Sequence, residues 1–250
     1  MIRLCIIGNS HVAALKHAAE GFCAEHPDAR LAFFAAPSNQ TARLAVSDGQ
    51  YRPRTPDLAQ QIQLTSGGLA AIDPEAYDAF LIYGFGGRGH RTDKPRRLSA
   101  SFTRAIVLDR VRCSLLMQHG AALRSLSDAP IFAALTPLPA AAPNKRRRRL
   151  MSHQAEVALV QAELCTPLGV ELCTQPEATL VADQATRADF ATSSVPLENA
   201  LKAREDRHEL SERRHMNAAY GRLWLEAFWP RLRAKLKLGR ARAHARTPLT

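Results

Sequence analysis

The chain has 250 residues, 46% of them hydrophobic, enough for one sizeable core without a second domain. No stretch approaches the roughly 18 consecutive apolar residues of a membrane helix, and the N-terminus lacks the layout of an export signal, so a cytoplasmic protein is expected. Lys and Arg number 34 against 23 Asp and Glu, a formal net charge of +11 that favours anionic partners over cationic ones.

Residues 2–7, Ile-Arg-Leu-Cys-Ile-Ile, predict a first strand, with Cys5 as a buried thiol. The other cysteines are Cys23, Cys113, Cys165 and Cys173; an odd count without a Cys-x-x-Cys pair argues against a disulfide framework and a zinc ribbon. Residues 12–25 carry Val12, Leu15, Ala19 and Phe22 at helical spacing. Residues 31–36 predict a second strand, bounded by Pro37-Ser38-Asn39. Residues 38–66 show no clear periodicity and read as an excursion over the site. Residues 79–83 predict a third strand that ends in a glycine cluster. One long helix is expected over about 98–126, with Ile106, Val107, Val111, Leu115 and Leu116 apolar. Residues 130–135 predict a fourth strand, stopped by Thr136-Pro137-Leu138-Pro139. A helix over 152–165 and a short fifth strand over 169–173 follow. The last helix is expected from about His215 to Leu232, with Trp224, Phe228 and Trp229 as its packing stripe.

Short apolar strands alternating with helices predict an α/β fold. The expected architecture is a three-layer α/β/α sandwich with a mostly parallel, flavodoxin-like sheet. Residues 1–230 form the expected domain and residues 231–250 a basic C-terminal extension. Ligands of such sheets sit beyond the carboxyl ends of the strands. Ser10, the glycine cluster and Thr136-Pro137 all fall on that edge.

Ser10 lies in Gly8-Asn9-Ser10-His11, directly after the first strand. A serine there has an exposed hydroxyl, and its own N–H and the helix dipole face developing negative charge. The simpler reading is that Asn9 or Ser10 caps the helix. His215 opens the last helix and is a candidate base, with His208 as a rival. The acid that orients it is Glu212, three residues earlier, or Asp206. The run Gly84-Phe85-Gly86-Gly87-Arg88-Gly89-His90 spells Gly-x-Gly-x-x-Gly after a strand, but a polar, proline-broken segment follows where a dinucleotide site needs a helix. It reads instead as a turn lining the serine pocket, with Arg88 and His90 placed to contact an anionic or sugar substrate.

These two segments resemble the SGNH/GDSL hydrolase superfamily, which carries a Gly-Asp-Ser motif after its first strand and an Asp-x-x-His motif near its C-terminus. Here they read Gly8-Asn9-Ser10 and Glu212-x-x-His215. The resemblance implies an ester hydrolase or acyltransferase acting on an acylated carbohydrate or small ester, with Ser10 as nucleophile and His215 as base. The chain departs from the family in having Asn9 and Glu212 where the family has aspartates. It also lacks the family's Gly-x-Asn-Asp segment: the asparagine position falls on Gly86, and no glycine follows the second strand. Oxyanion donors are then expected from the backbone of Gly84, Gly86 and Gly87 or from the Asn39 amide. Losing one such donor typically costs about 100- to 1,000-fold in rate.

Neither a cofactor nor a metal is expected, since no histidine or cysteine cluster has ligand spacing. Two other readings stand beside the hydrolase. One is a non-catalytic binding protein of the same fold. The other is a polyanion- or membrane-surface-binding protein acting through Lys145, Arg146, Arg147, Arg148 and Arg149 and through the basic run over 231–246. Few aromatics accompany these charges, which disfavours nucleic acid.

Overall fold

The computed structural model describes residues 1–86, 91–92, 98–142, 148–200, 208–209 and 212–246. Five strands form one all-parallel sheet: β1 (Ile2–Gly8), β2 (Ala29–Ala35), β3 (Ala79–Tyr83), β4 (Ile131–Ala134) and β5 (Val170–Cys173). Their order is β2-β1-β3-β4-β5. The chain reverses its direction of travel between β1 and β3, so a crevice opens beyond the carboxyl ends of those two strands.

Alternate strand residues enter opposite cores, as the two-residue strand period requires. Leu4, Ile6, Phe33, Leu81 and Phe132 pack under α1 (Ala13–Glu25) and α6 (Ala218–Arg246). Ile7, Phe34, Phe80, Ile82 and Ile131 face the opposite core. That core is covered by α2 (Pro56–Ser66), α3 (Ala100–Arg112), α4 (Leu115–Leu126) and α5 (His153–Val160). Burial on both faces is why these strands read as unbroken apolar runs. Among the described residues, no helix is long and apolar enough to cross a membrane.

Several elements differ from expectation. The long helix over 98–126 is two helices, because Ser114 turns extended (φ −91°, ψ 160°) and its hydroxyl donates to the Val111 carbonyl at 2.7 Å. The excursion over 38–66 holds a hairpin, Leu44–Ser47 against Gln50–Pro53, and all of α2. The signals for α2 were its punctuation: Pro56 in the first turn and Gly67 in the left-handed cap (φ 77°).

The last helix starts at Ala218 rather than His215 and continues through Pro230 to Arg246, so the division expected at residue 230 falls inside it. A proline removes one helix hydrogen bond, but Trp229 and Leu232 on either side are buried in the core and hold the helix to the sheet. Arg231 and Lys235 pair with Glu171 at 2.5 and 2.8 Å, and Arg233 pairs with Asp28 at 2.6 Å. The start of the basic run is therefore anchored to the domain. Earlier in the chain, the backbone of Arg91–Thr92 pairs antiparallel with Arg148–Arg149, bringing the segments that follow β3 and β4 together.

Candidate active site

The site is built at the β1–β3 crevice. β1 ends at Gly8, where a Cβ would lie 2.0 Å from Val12 Cγ2 and 2.8 Å from the Tyr83 carbonyl oxygen. Only glycine lets the strand turn this tightly into the helix. Ser10 opens a single 3-10 turn (Ser10–Val12) that runs into α1. Asn9 caps it, accepting from the His11 N–H at 3.0 Å. The Asn9 amide nitrogen donates to the Gly84 carbonyl at 2.7 Å, and the Thr136 hydroxyl donates to the same oxygen at 2.7 Å. The chain beyond β1, β3 and β4 is thus stitched at one carbonyl.

The histidine arrives on a loop fixed at several points. The Arg213 carbonyl accepts from the Ala140 N–H at 2.8 Å, and the Arg213 guanidinium donates to the Ala141 carbonyl at 2.6 Å. Asn217 donates from its backbone to Phe190 at 2.8 Å and from its side chain to the carbonyls of Asp189 and Thr192 at 2.9 and 3.0 Å. Its side-chain oxygen accepts from the Tyr220 N–H at 3.1 Å and so caps α6. One turn on, Gly221 lies against α1. A Cβ there would fall 1.9 Å from the Ala14 carbonyl oxygen.

These constraints bring Ser10 Oγ within 3.0 Å of His215 Nε2. On the other side of the ring, Nδ1 lies 3.9 Å from Glu212 Oε1, an ion-pair separation rather than a hydrogen bond. That oxygen accepts from the Arg214 N–H. Burial pushes the Glu212 carboxyl up, but the Arg214 N–H and the neighbouring His215 outweigh it and hold it below the usual carboxylate range. An imidazole that bonds a serine at one nitrogen and faces an anionic carboxylate at the other can take and return the serine proton.

The other sequence candidates fall into place unevenly. The Gly84 N–H donates to the Ala134 carbonyl at 3.0 Å, and its own carbonyl is doubly bonded, so Gly84 frames the site and is not the expected oxyanion donor. Gly86 (φ 79°) gives its carbonyl to Arg110 Nε at 3.2 Å and packs on Ser114, where a Cβ would lie 3.1 Å from Oγ. Arg110 also pairs with the buried Glu156. Asn39 is exposed, just before the turn that follows β2. Gly87, Arg88, His90 and Asp206, with the run from Lys145 to Arg147, lie outside the described residues. His208, the rival base, stacks on the His215 ring, while the bond to Ser10 comes from His215.

Thr136, expected on the ligand edge with Ser10 and the glycine cluster, was given no role from sequence; its hydroxyl bond to the Gly84 carbonyl supplies one. A cleft of about 330 Å³ opens beside Glu212 and Arg213, walled by Ala140, Ala141, Ala142 and Ala188. Among the described residues, no group of three or more His, Cys, Asp or Glu is arranged to hold a metal ion. No family model matches the chain, and no curated protein matches its sequence.

Proposed function

We propose that this chain is a serine-dependent ester hydrolase or acyltransferase, a divergent member of the SGNH type acting in the cytoplasm on an acylated carbohydrate or small ester. The observation that carries the reading is the 3.0 Å approach of Ser10 Oγ to His215 Nε2, between residues 205 apart in sequence. Ser10 Oγ attacks the acyl carbonyl as its proton passes to His215 Nε2, and the imidazolium faces Glu212. The tetrahedral intermediate collapses, the ester C–O bond breaks, and the leaving alkoxide takes the proton from His215. Water or an acceptor hydroxyl then repeats the sequence on the acyl-serine and frees Ser10. The Ser10 N–H holds the oxyanion, with Asn39 and the chain after Gly84 as the remaining donors in this reading.

The place of Asn9 supports the same reading. An amide replaces the family's aspartate because the position needs a donor toward Gly84 as well as an acceptor for His11. One observation favours the alternative, a binding protein of the same fold: both backbone polar groups of Gly84 are already bonded, which removes one expected oxyanion donor. The polyanion reading is weakened by the pairing of Arg231, Arg233 and Lys235 with Glu171 and Asp28.

Hydrolysis of short-chain nitrophenyl esters and acetylated sugars tests the proposal. The wild type turns over at least one of them, and Ser10→Ala and His215→Ala each lose about 1,000-fold or more. A folded wild type that hydrolyses none of them, or a Ser10→Ala protein that keeps its rate, sinks it.

A further inference from the structure

We propose that His11 and His208 are positioning residues for His215, holding its ring in the plane that aims Nε2 at Ser10. The inference rests on the reading of Ser10 and His215 as nucleophile and base.

The His11 and His215 ring centroids are 4.9 Å apart with planes 24° from parallel. Those of His208 and His215 are 4.3 Å apart with planes only 13° from parallel. Ring nitrogens lie on ring edges, so packing the faces leaves the edges free to meet Ser10 and Glu212. Rotating the His215 ring out of this plane would break both stacks. The supports also come from outside the histidine's own loop. His11 follows the nucleophile in the same 3-10 turn, is buried, and has its N–H fixed by Asn9. The His208 N–H donates to the carbonyl of the buried Ser194 at 2.9 Å. The turn that sets the serine thus sets one face of the base, and a separate segment sets another contact. Near-parallel rings also direct their nitrogens along parallel planes instead of toward one point, which suits stacking and not metal ligation.

The stack has an electrostatic consequence. Among the described residues, the groups near the His215 ring include Glu212, with Arg213 and Arg214 on the same loop, Ser10 and His11 on the serine turn, and His208. Arg213 points its guanidinium at Ala141, and Arg214 is exposed. Among the described residues, Glu212, His11 and His208 are titratable groups set against the ring. When His215 takes the Ser10 proton, the faces of the His11 and His208 rings lie against the new cation. If either neighbour already carries a proton, a second positive charge must form less than 5 Å from the first, and the transfer is opposed.

The test uses the full-length chain and two readouts. The first is the rate at which a fluorophosphonate probe labels Ser10 at pH 8. His208→Ala and His11→Ala each lower it at least about tenfold, while His208→Phe, which keeps a ring face, stays within about threefold of wild type. The second is the NMR shift of the His215 ring protons at the same pH, which needs no activity. The stacked rings displace these signals, and the His11→Ala/His208→Ala double variant moves them. His215 ring signals that stay in place in the double variant overturn the proposal, as does wild-type labelling by His208→Ala or His208→Phe labelling as slow as that of His208→Ala. A wild type that fails to label while its His215 signals move in the double variant overturns the hydrolase reading and leaves the stack supported.

Discussion

The side-chain nitrogen of Asn9 donates to the Gly84 carbonyl at 2.7 Å while its Oδ1 accepts from the His11 N–H at 3.0 Å. One amide therefore fastens the serine turn to the end of β3 with a donor and an acceptor at once. A carboxylate cannot do both at neutral pH. Asn9→Asp sets an anionic oxygen against the Gly84 carbonyl and is expected to cost about 1–3 kcal/mol at pH 7. Much of that loss returns as pH falls toward about 4, because the carboxyl held against the carbonyl takes its proton in the folded chain before the unfolded one does. Urea unfolding of variant and wild type at pH 7 and pH 3.5 reads the difference. An equal loss at both values contradicts this account of Asn9.

The contact between α1 and α6 positions the histidine loop, and Gly221 is its tightest point. A Cβ at 221 would fall 1.9 Å from the Ala14 carbonyl oxygen and 2.4 Å from its carbon. Backbone, unlike a flexible side-chain end, cannot swing aside. Gly221→Ala is expected to destabilise the fold by at least about 2 kcal/mol and to slow any Ser10 chemistry by displacing the start of α6. Thermal melting and probe labelling of the same preparation check both parts. A variant that melts with wild type refutes the close approach.

His119 is a second buried histidine with a structural part. It lies in the core under Phe85 (ring centroids 5.2 Å) and bonds the Tyr51 hydroxyl at 2.8 Å and the Thr41 hydroxyl at 3.2 Å. Burial pushes its pKa down to about 3. The unfolded chain takes this proton near pH 6.5 and the folded chain does not. Stability is therefore full above pH 6.5 and is lost progressively as pH falls from there toward about 3, by up to about 1.4 kcal/mol per pH unit. His119→Leu strands two buried hydroxyls and costs about 2–4 kcal/mol at pH 7, but its stability falls less steeply between pH 6.5 and 4. Parallel slopes for variant and wild type contradict the assignment.

The basic helix end separates into an anchored and an unanchored part. Removing residues 231–250 deletes the fully buried Leu232 and the pairs to Glu171 and Asp28. That truncation is expected to cost about 3 kcal/mol or more, most of it from Leu232. Ending the chain after Leu238, which is 60% exposed, is expected to cost less than about 1 kcal/mol. Chemical denaturation of the two truncations orders them, and equal stabilities contradict the anchoring.

The sheet was legible because each strand is buried on both faces and so reads as an apolar run. α1 was legible because Leu15 and Phe22 recur at helical spacing on a buried face. The hairpin and α2 were not, because they bury few residues. Leu58 and Ile62 are the buried apolar residues of α2, and among Gln and Thr they make no visible stripe. The break at Ser114 was hidden because both helices bury residues on the same face, and the pattern runs through the corner. Pro230 suggested an end that buried Trp229 and Leu232 override. At the site, Ser10 and His215 could be proposed from their turns. The Asn9–Gly84–Thr136 stitch and the histidine stack join segments far apart in sequence, so no local pattern announced them.

In the proposed reaction Ser10 is an activated nucleophile with His215 as its base. Labelling of the purified chain with a fluorophosphonate probe, with the modified residue located by mass spectrometry, tests it most directly. The expected result is a single adduct on Ser10 in the wild type, none in Ser10→Ala, and a rate lowered at least about 100-fold in His215→Ala. A well-folded wild type that does not label, or that labels equally without His215, contradicts it.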